Sequence, residues 1–136
     1  MSTYELNFGV PYGVTTARVY LDVLTPVDAD RQYVVGLRAM AGDRVVDLDS
    51  PGWHYSKHLQ TKFCYLPRRS EPGMAKLPLL TVGREVTHLE VQPLAWARGS
   101  APVEEVVGSV WLATPDPAGG TTIFEAVSRQ EGENHV

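Results

Sequence analysis

Apolar and polar residues alternate with a period of two along most of this chain, and no window of helical length sustains a 3.6 period. The clearest run is 14–24, where Ala17, Val19, Leu21 and Val23 share one face and Thr16, Arg18, Tyr20 and Asp22 the other. Successive side chains of a strand point to opposite faces, so this run predicts a strand with a core side and a wetter side. A short opening strand is predicted over 3–10. Residues 32–40 and 44–48 predict a hairpin, because Gly42-Asp43 tolerates the positive φ of a tight bend. The pattern breaks at Ser50-Pro51-Gly52 and resumes over 61–66, ending against Pro67.

A second hairpin is predicted from Leu79–Val82 through Gly83-Arg84 into Val86–Trp96. Pro93 falls inside it and removes a ladder donor, which predicts an edge strand, a bulge or two strands meeting at a corner. Residues 104–113 alternate cleanly, and 121–127 form the last predicted strand. The domain is expected to span 1–127, with 128–136 a polar, flexible C-terminal tail. Eight to nine strands at these spacings predict an all-β antiparallel β-sandwich, jelly-roll or C2/Ig-like, with a closed barrel as the alternative.

Composition narrows the class. The chain has 136 residues, 43% of them hydrophobic and 21% charged, which suits one globular domain with a real core. The net charge is −4 and the densest basic cluster is Arg68-Arg69, followed closely by Glu71. Nucleic-acid binders draw affinity from neutralising phosphates, so no nucleic-acid partner is expected. Anionic membrane surfaces are disfavoured on the same ground, and no apolar run is long enough to span a bilayer. A single cysteine, Cys64, rules out an intrachain disulfide. The start of the chain lacks a basic segment followed by an apolar one, so a cytoplasmic protein is expected, with a virion or other particle as the alternative. Val occurs 18 times and Ile once, and Arg outnumbers Lys nine to three. That skew suggests a GC-rich bacterial or phage origin.

The candidate chemistry is sparse. His54 and His58 are spaced to share a zinc ion on a helix, with Cys64 or His88 completing the shell. In extended chain the same spacing separates them by about 13 Å, too far for one ion. Asp43, Asp47 and Asp49, with Asp28 and Asp30, have the flavour of calcium loops in C2-type sandwiches. Aspartates are also ordinary turn residues, and no glycine-bearing calcium-loop pattern surrounds them. His54, His58, His88, Asp47 and Asp49 are therefore the metal candidates, for zinc or calcium, and no cofactor is predicted.

Trp53, Tyr55, Tyr65, Trp96 and Trp111 can supply an aromatic surface for sugars. Trp111, on an alternating strand, reads as a core residue; Trp53, in the irregular 50–60 segment, reads as the exposed one. Ser56, Ser70, Ser100 and Cys64 lack any nucleophile-elbow context, and no phosphate-binding loop is present. Nothing argues for an enzyme. The function expected from the residues is a non-catalytic binding or assembly module, acting through protein–protein contacts as a subunit or accessory domain. Its binding residues are expected to be Trp53, His54, Tyr55, His58, Arg68 and Arg69, with a protein partner or self-association. Carbohydrate or small-ligand binding through exposed aromatics is the first alternative. A metal-dependent enzyme or metal-binding barrel using His54, His58 and His88 is the second.

Overall fold

In the computed structural model the described residues are 2–7, 16–23, 31–48, 50–57, 60–66, 73–97, 103–104, 107–115 and 118–130. They form thirteen strands and no helix: β1 Ser2–Asn7, β2 Thr16–Val23, β3 Arg31–Ala41, β4 Arg44–Val46, β5 His54–Ser56, β6 Thr61–Tyr65 and β7 Gly73–Lys76, then β8 Leu80–Thr81, β9 His88–Ala97, β10 Val103–Glu104, β11 Val107–Pro115, β12 Thr121–Glu125 and β13 Val127–Gln130. The excess over the eight or nine expected lies in β5, β7, β10 and β13. Each is two to four residues long, too short for a period of two to register.

Two antiparallel sheets result. The larger runs β13-β1-β9-β3-β6-β5, with β10 beside β9 and β4 beside β3. The smaller runs β12-β11-β2-β7, with β8 also on β2. Both orders have free ends, so neither sheet closes into a barrel. The inward rows of both sheets meet in one apolar cluster. The smaller sheet contributes Val19, Leu21, Val110 and Leu112; the larger contributes Leu6, Val35, Leu37, Leu89 and Val91. At roughly 1.5–3 kcal/mol for each fully buried aliphatic side chain, this shared cluster is the main cohesive element of the fold.

The hairpin at β3–β4 forms as the pattern predicts, with Gly42 at φ 64° in its turn. The hairpin expected at 79–96 does not form. β8 pairs with β2 in the smaller sheet, whereas β9 pairs with β1, β3 and β10 in the larger. Gly83-Arg84 therefore carries the chain between sheets.

The edge-strand expectation for Pro93 is likewise corrected, since β9 is central. On one side β9 pairs continuously with β3. On the other, β1 pairs up to Val91 and β10 from Leu94. Pro93 sits at the junction of those two neighbours, where a missing N–H interrupts neither ladder.

The last strand also divides. β12 ends at Glu125 in the smaller sheet, and the chain continues past residue 127 as β13, paired to β1 at the edge of the larger. Ala126, between them, donates its backbone N–H to Val110 O at 2.9 Å.

Candidate functional site

The structure scatters the residues that the sequence singles out. Trp53 is only 4% exposed and belongs to the core cluster. Its indole Nε1 donates to Pro78 O at 3.2 Å. Trp53 is therefore a packing residue and not an exposed recognition residue. Trp111 is the converse case. It lies on the outer face of the smaller sheet, half-buried, opposite Tyr20 and stacked on its ring at 5.6 Å and 8°. The strand reading of Trp111 holds, but it occupies the face opposite to Val110 and Leu112. The side chain of Trp96, and His58, Asp28, Asp30, Asp49, Arg68 and Arg69, lie outside the described residues.

Two of the histidines can now be placed. His54 is on β5 at one end of the larger sheet, and His88 is on β9. Strands β3 and β6 separate them, which is about 14 Å across the sheet. They do not share an ion. Asp47 is exposed, and Lys62 Nζ stands 3.8 Å from its Oδ1. Cys64 is buried in the core cluster, away from solvent. Burial pushes its thiol pKa up to about 12, outweighing a backbone hydrogen bond with Val35 that lowers it. A thiol so placed stays protonated and is a poor nucleophile.

What the structure does bring together is an aromatic group at the β5–β6 end of the larger sheet. His54 pairs with Phe63 across the strands, and their rings lie 5.8 Å apart. Phe63 meets Tyr65 edge-to-face at 5.3 Å. The alternation of β6 puts Phe63 and Tyr65 on the outer face because Cys64, between them, points into the core. Tyr65 remains 55% exposed. Tyr55, 60% exposed, projects from the other side of β5 and borders a hollow of about 180 Å³ with Val45, Leu48 and Lys62.

The aromatic group continues inward as an apolar strip. Tyr65 is opposite Val34, and Val34 is opposite Leu94. Val34 and Leu94 are buried, yet they stand apart from the cluster between the sheets. Next to Phe63 the strip is lined by Gly36, where a side chain would press on Thr61 Cγ2 at 3.4 Å. An outer sheet face that carries aromatics and aliphatics departs from the usual alternation of core-facing apolar and solvent-facing polar rows.

A second, polar group occupies another part of the same outer face. His88 and Glu90 alternate on β9, and Glu5 of β1 is directly opposite Glu90. One ligating atom from each of the three lies within 4.8 Å of the others. The pair His88-x-Glu90 was legible as a same-face pair on a strand. Glu5 was not, because nothing local links a residue near the start of the chain to β9.

No protein-family model, curated protein or solved structure matches the chain. Among the described residues no helix is long and apolar enough to cross a membrane.

Proposed function

We propose that this protein is a non-catalytic β-sandwich module that binds or assembles through protein–protein contacts, using the aromatic end of its larger sheet. The reading rests on one observation: His54, Phe63 and Tyr65 form a connected ring group on an outer face, with Tyr65 more than half exposed. Aromatic side chains with a polar tip suit interfaces, because a large rigid area is buried at low entropic cost while the hydroxyl finds a partner. Tyr55 widens the group on the other side of the same short edge strand. A sandwich is supported by the single apolar cluster to which both sheets contribute.

Strand addition to β5 is a weaker basis for binding. The strand has three residues, and short edges are a common device against pairing. Face packing on Phe63 and Tyr65 is therefore the contact we assign, and a second copy of the chain is the simplest occupant. The carbohydrate reading is less well supported. Trp111 and Tyr20 stack nearly parallel on each other, so each ring already covers one face of its neighbour.

Sedimentation equilibrium of the wild type and of Tyr65→Asp tests the proposal. We expect concentration-dependent association of the wild type and a monomer for the variant, with both melting cooperatively. A wild type that stays monomeric at high concentration would overturn self-association through this face. Association that Tyr65→Asp leaves unchanged would overturn the assignment of the face.

A further inference from the structure

We propose that the groove beside the Tyr20–Trp111 stack binds a small organic carboxylate with an apolar body, and that Arg18 is its charge partner. The groove is on the smaller sheet, whereas His54, Phe63 and Tyr65 are on the larger. The site therefore does not depend on the reading above.

The register of β2 and β11 builds the groove. Arg18 stands opposite Ala113, and the next residue on its face of β2 is Tyr20, held against Trp111. A methyl group among larger neighbours leaves a hollow above the sheet. Tyr20, Leu79 and Pro115 wall this hollow, whose volume of about 510 Å³ falls within the range of small-molecule sites. Leu79 is half exposed, so it has apolar surface still to bury. Thr114 also lines the groove, but its hydroxyl already donates to Thr16 O at 3.0 Å.

Charge supplies the independent part of the case. Among the described residues that line the groove, Arg18 is the only charged one. A guanidinium stays charged at any pH the fold survives, and no described residue pairs with this one. Its Nε is the one buried side-chain nitrogen or oxygen, among the described residues, that lacks a hydrogen-bond partner. A buried N–H without an acceptor is costly, and folded proteins rarely keep one without a reason. The acids of this face are engaged elsewhere. Asp22 is four residues further along β2, about 13 Å away, and accepts from Ser109 Oγ at 3.2 Å. Glu125 is opposite Trp111, on the far side of β11 from β2. Lys76, opposite Tyr20 on β7, instead adds a second positive charge diagonal to Arg18, with the two backbones about 7–8 Å apart. In a chain of net charge −4, this groove presents a positive field and an unused donor.

A carboxylate is the anion that suits these surroundings. Its two oxygens match the parallel N–H bonds that a guanidinium offers through Nε and a terminal nitrogen. A phosphate would turn further charged oxygens toward Leu79, Ala113 and Pro115, where they would lose water without gaining a partner. The hydroxyls of a sugar acid would meet the same walls. An aliphatic chain lying along those side chains gains from the surface it buries.

The test titrates sodium octanoate into isotope-labelled protein and follows the Arg18 Nε–H resonance and the backbone amides by NMR. One equivalent should bind saturably and move the Arg18 Nε–H resonance downfield, together with the amides of Ala113 and Thr121. Acetate, which lacks the chain, and octanol, which lacks the charge, should each bind at least about tenfold more weakly. Arg18→Gln should weaken octanoate binding by a similar factor and leave octanol binding unchanged, a split that a misfolded variant would not give. No saturable binding, an unmoved Arg18 Nε–H resonance, or acetate or octanol binding as well as octanoate would overturn the site. Tighter binding of the peptide N-acetyl-Leu-Glu-Leu-amide than of octanoate would assign the groove to an acidic segment of a partner protein and overturn the small ligand. The resonance shifts are read on the wild type, so they stand even if the variant does not fold.

Discussion

The indole N–H of Trp53 reaches across from the larger sheet to the carbonyl of Pro78, which lies between β7 and β8 of the smaller one. A second bond runs parallel to it, from Thr81 N to Ser50 Oγ at 3.0 Å. Together they join the two sheets along the side opposite to the β12–β13 crossing. Trp53→Phe keeps most of the buried ring and removes the donor, so it should lower unfolding free energy by about 1–2 kcal/mol. Trp53→Ala opens a cavity as well and should cost about 3–5 kcal/mol. Urea denaturation of the three proteins checks both values. Equal stability of wild type and the Phe variant would mean the bond to Pro78 contributes nothing.

Glycine requirements at two turns differ in a way that stability measurements can separate. Gly42 and Gly52 both hold positive φ, 64° and 88°. A side chain at Gly42 would meet no atom within 4 Å, whereas one at Gly52 would come within 2.9 Å of the Pro78 ring. Gly42→Ala should therefore cost only the left-handed backbone penalty, about 1–2 kcal/mol. Gly52→Ala adds a clash at the sheet-to-sheet junction and should cost clearly more. Thermal melts of the two variants side by side provide the comparison.

Local pattern made the long strands readable, and long-range pairing accounts for what it could not show. β2, β3 and β11 follow their alternation, and the Gly42 turn follows from residues that accept its φ. Alternation says that Trp111 and Val110 lie on opposite faces, but not which face meets the core; a one-residue difference decides it. Trp53 looked exposed because its segment is irregular, whereas its burial depends on Pro78, 25 residues away. Pro93 pointed to an edge strand, a bulge or a corner because the sequence does not reveal that β1 and β10 divide one side of β9. The Glu5–Glu90 opposition is of the same kind, a register fact that joins distant parts of the chain.

The outer face of the smaller sheet provides a check on sugar binding. Trp111 and Tyr20 stack there, and Tyr20, Thr16, Arg18, Leu79 and Thr121 line a shallow groove of about 510 Å³ beside the stack. Because the rings occupy each other's faces, a glycan panel should leave the tryptophan emission of the wild type unshifted. Tyr20→Ala, which frees one face of Trp111, should red-shift that emission. A saturable shift of the wild type with any glycan, lost in Trp111→Ala, would move the binding function to this sheet.

Cys64 gives the chain a predictable weakness at alkaline pH. Its thiol titrates near 9.0 in exposed chain and is pushed up to about 12 in the fold, chiefly by burial. Below pH 9 the thiol is neutral in both states and stability does not depend on it. Above pH 9 the unfolded chain loses a proton that the folded chain retains, so the unfolded state is favoured as pH rises. The loss from this one group is at most about 1.4 kcal/mol per pH unit, and it ends near pH 12, where the folded thiol also ionises. Alkali acts on the rest of the chain as well, so the comparison must be made with Cys64→Ala. That variant should be less stable at pH 8, where it has lost only packing. Between pH 8 and pH 10.5 it should lose about 1–2 kcal/mol less than the wild type does. At pH 8 the native thiol should also resist a disulfide reagent, reacting only on unfolding. Prompt reaction of the native protein, or parallel stability curves for wild type and variant, would show that Cys64 is not shielded in the core.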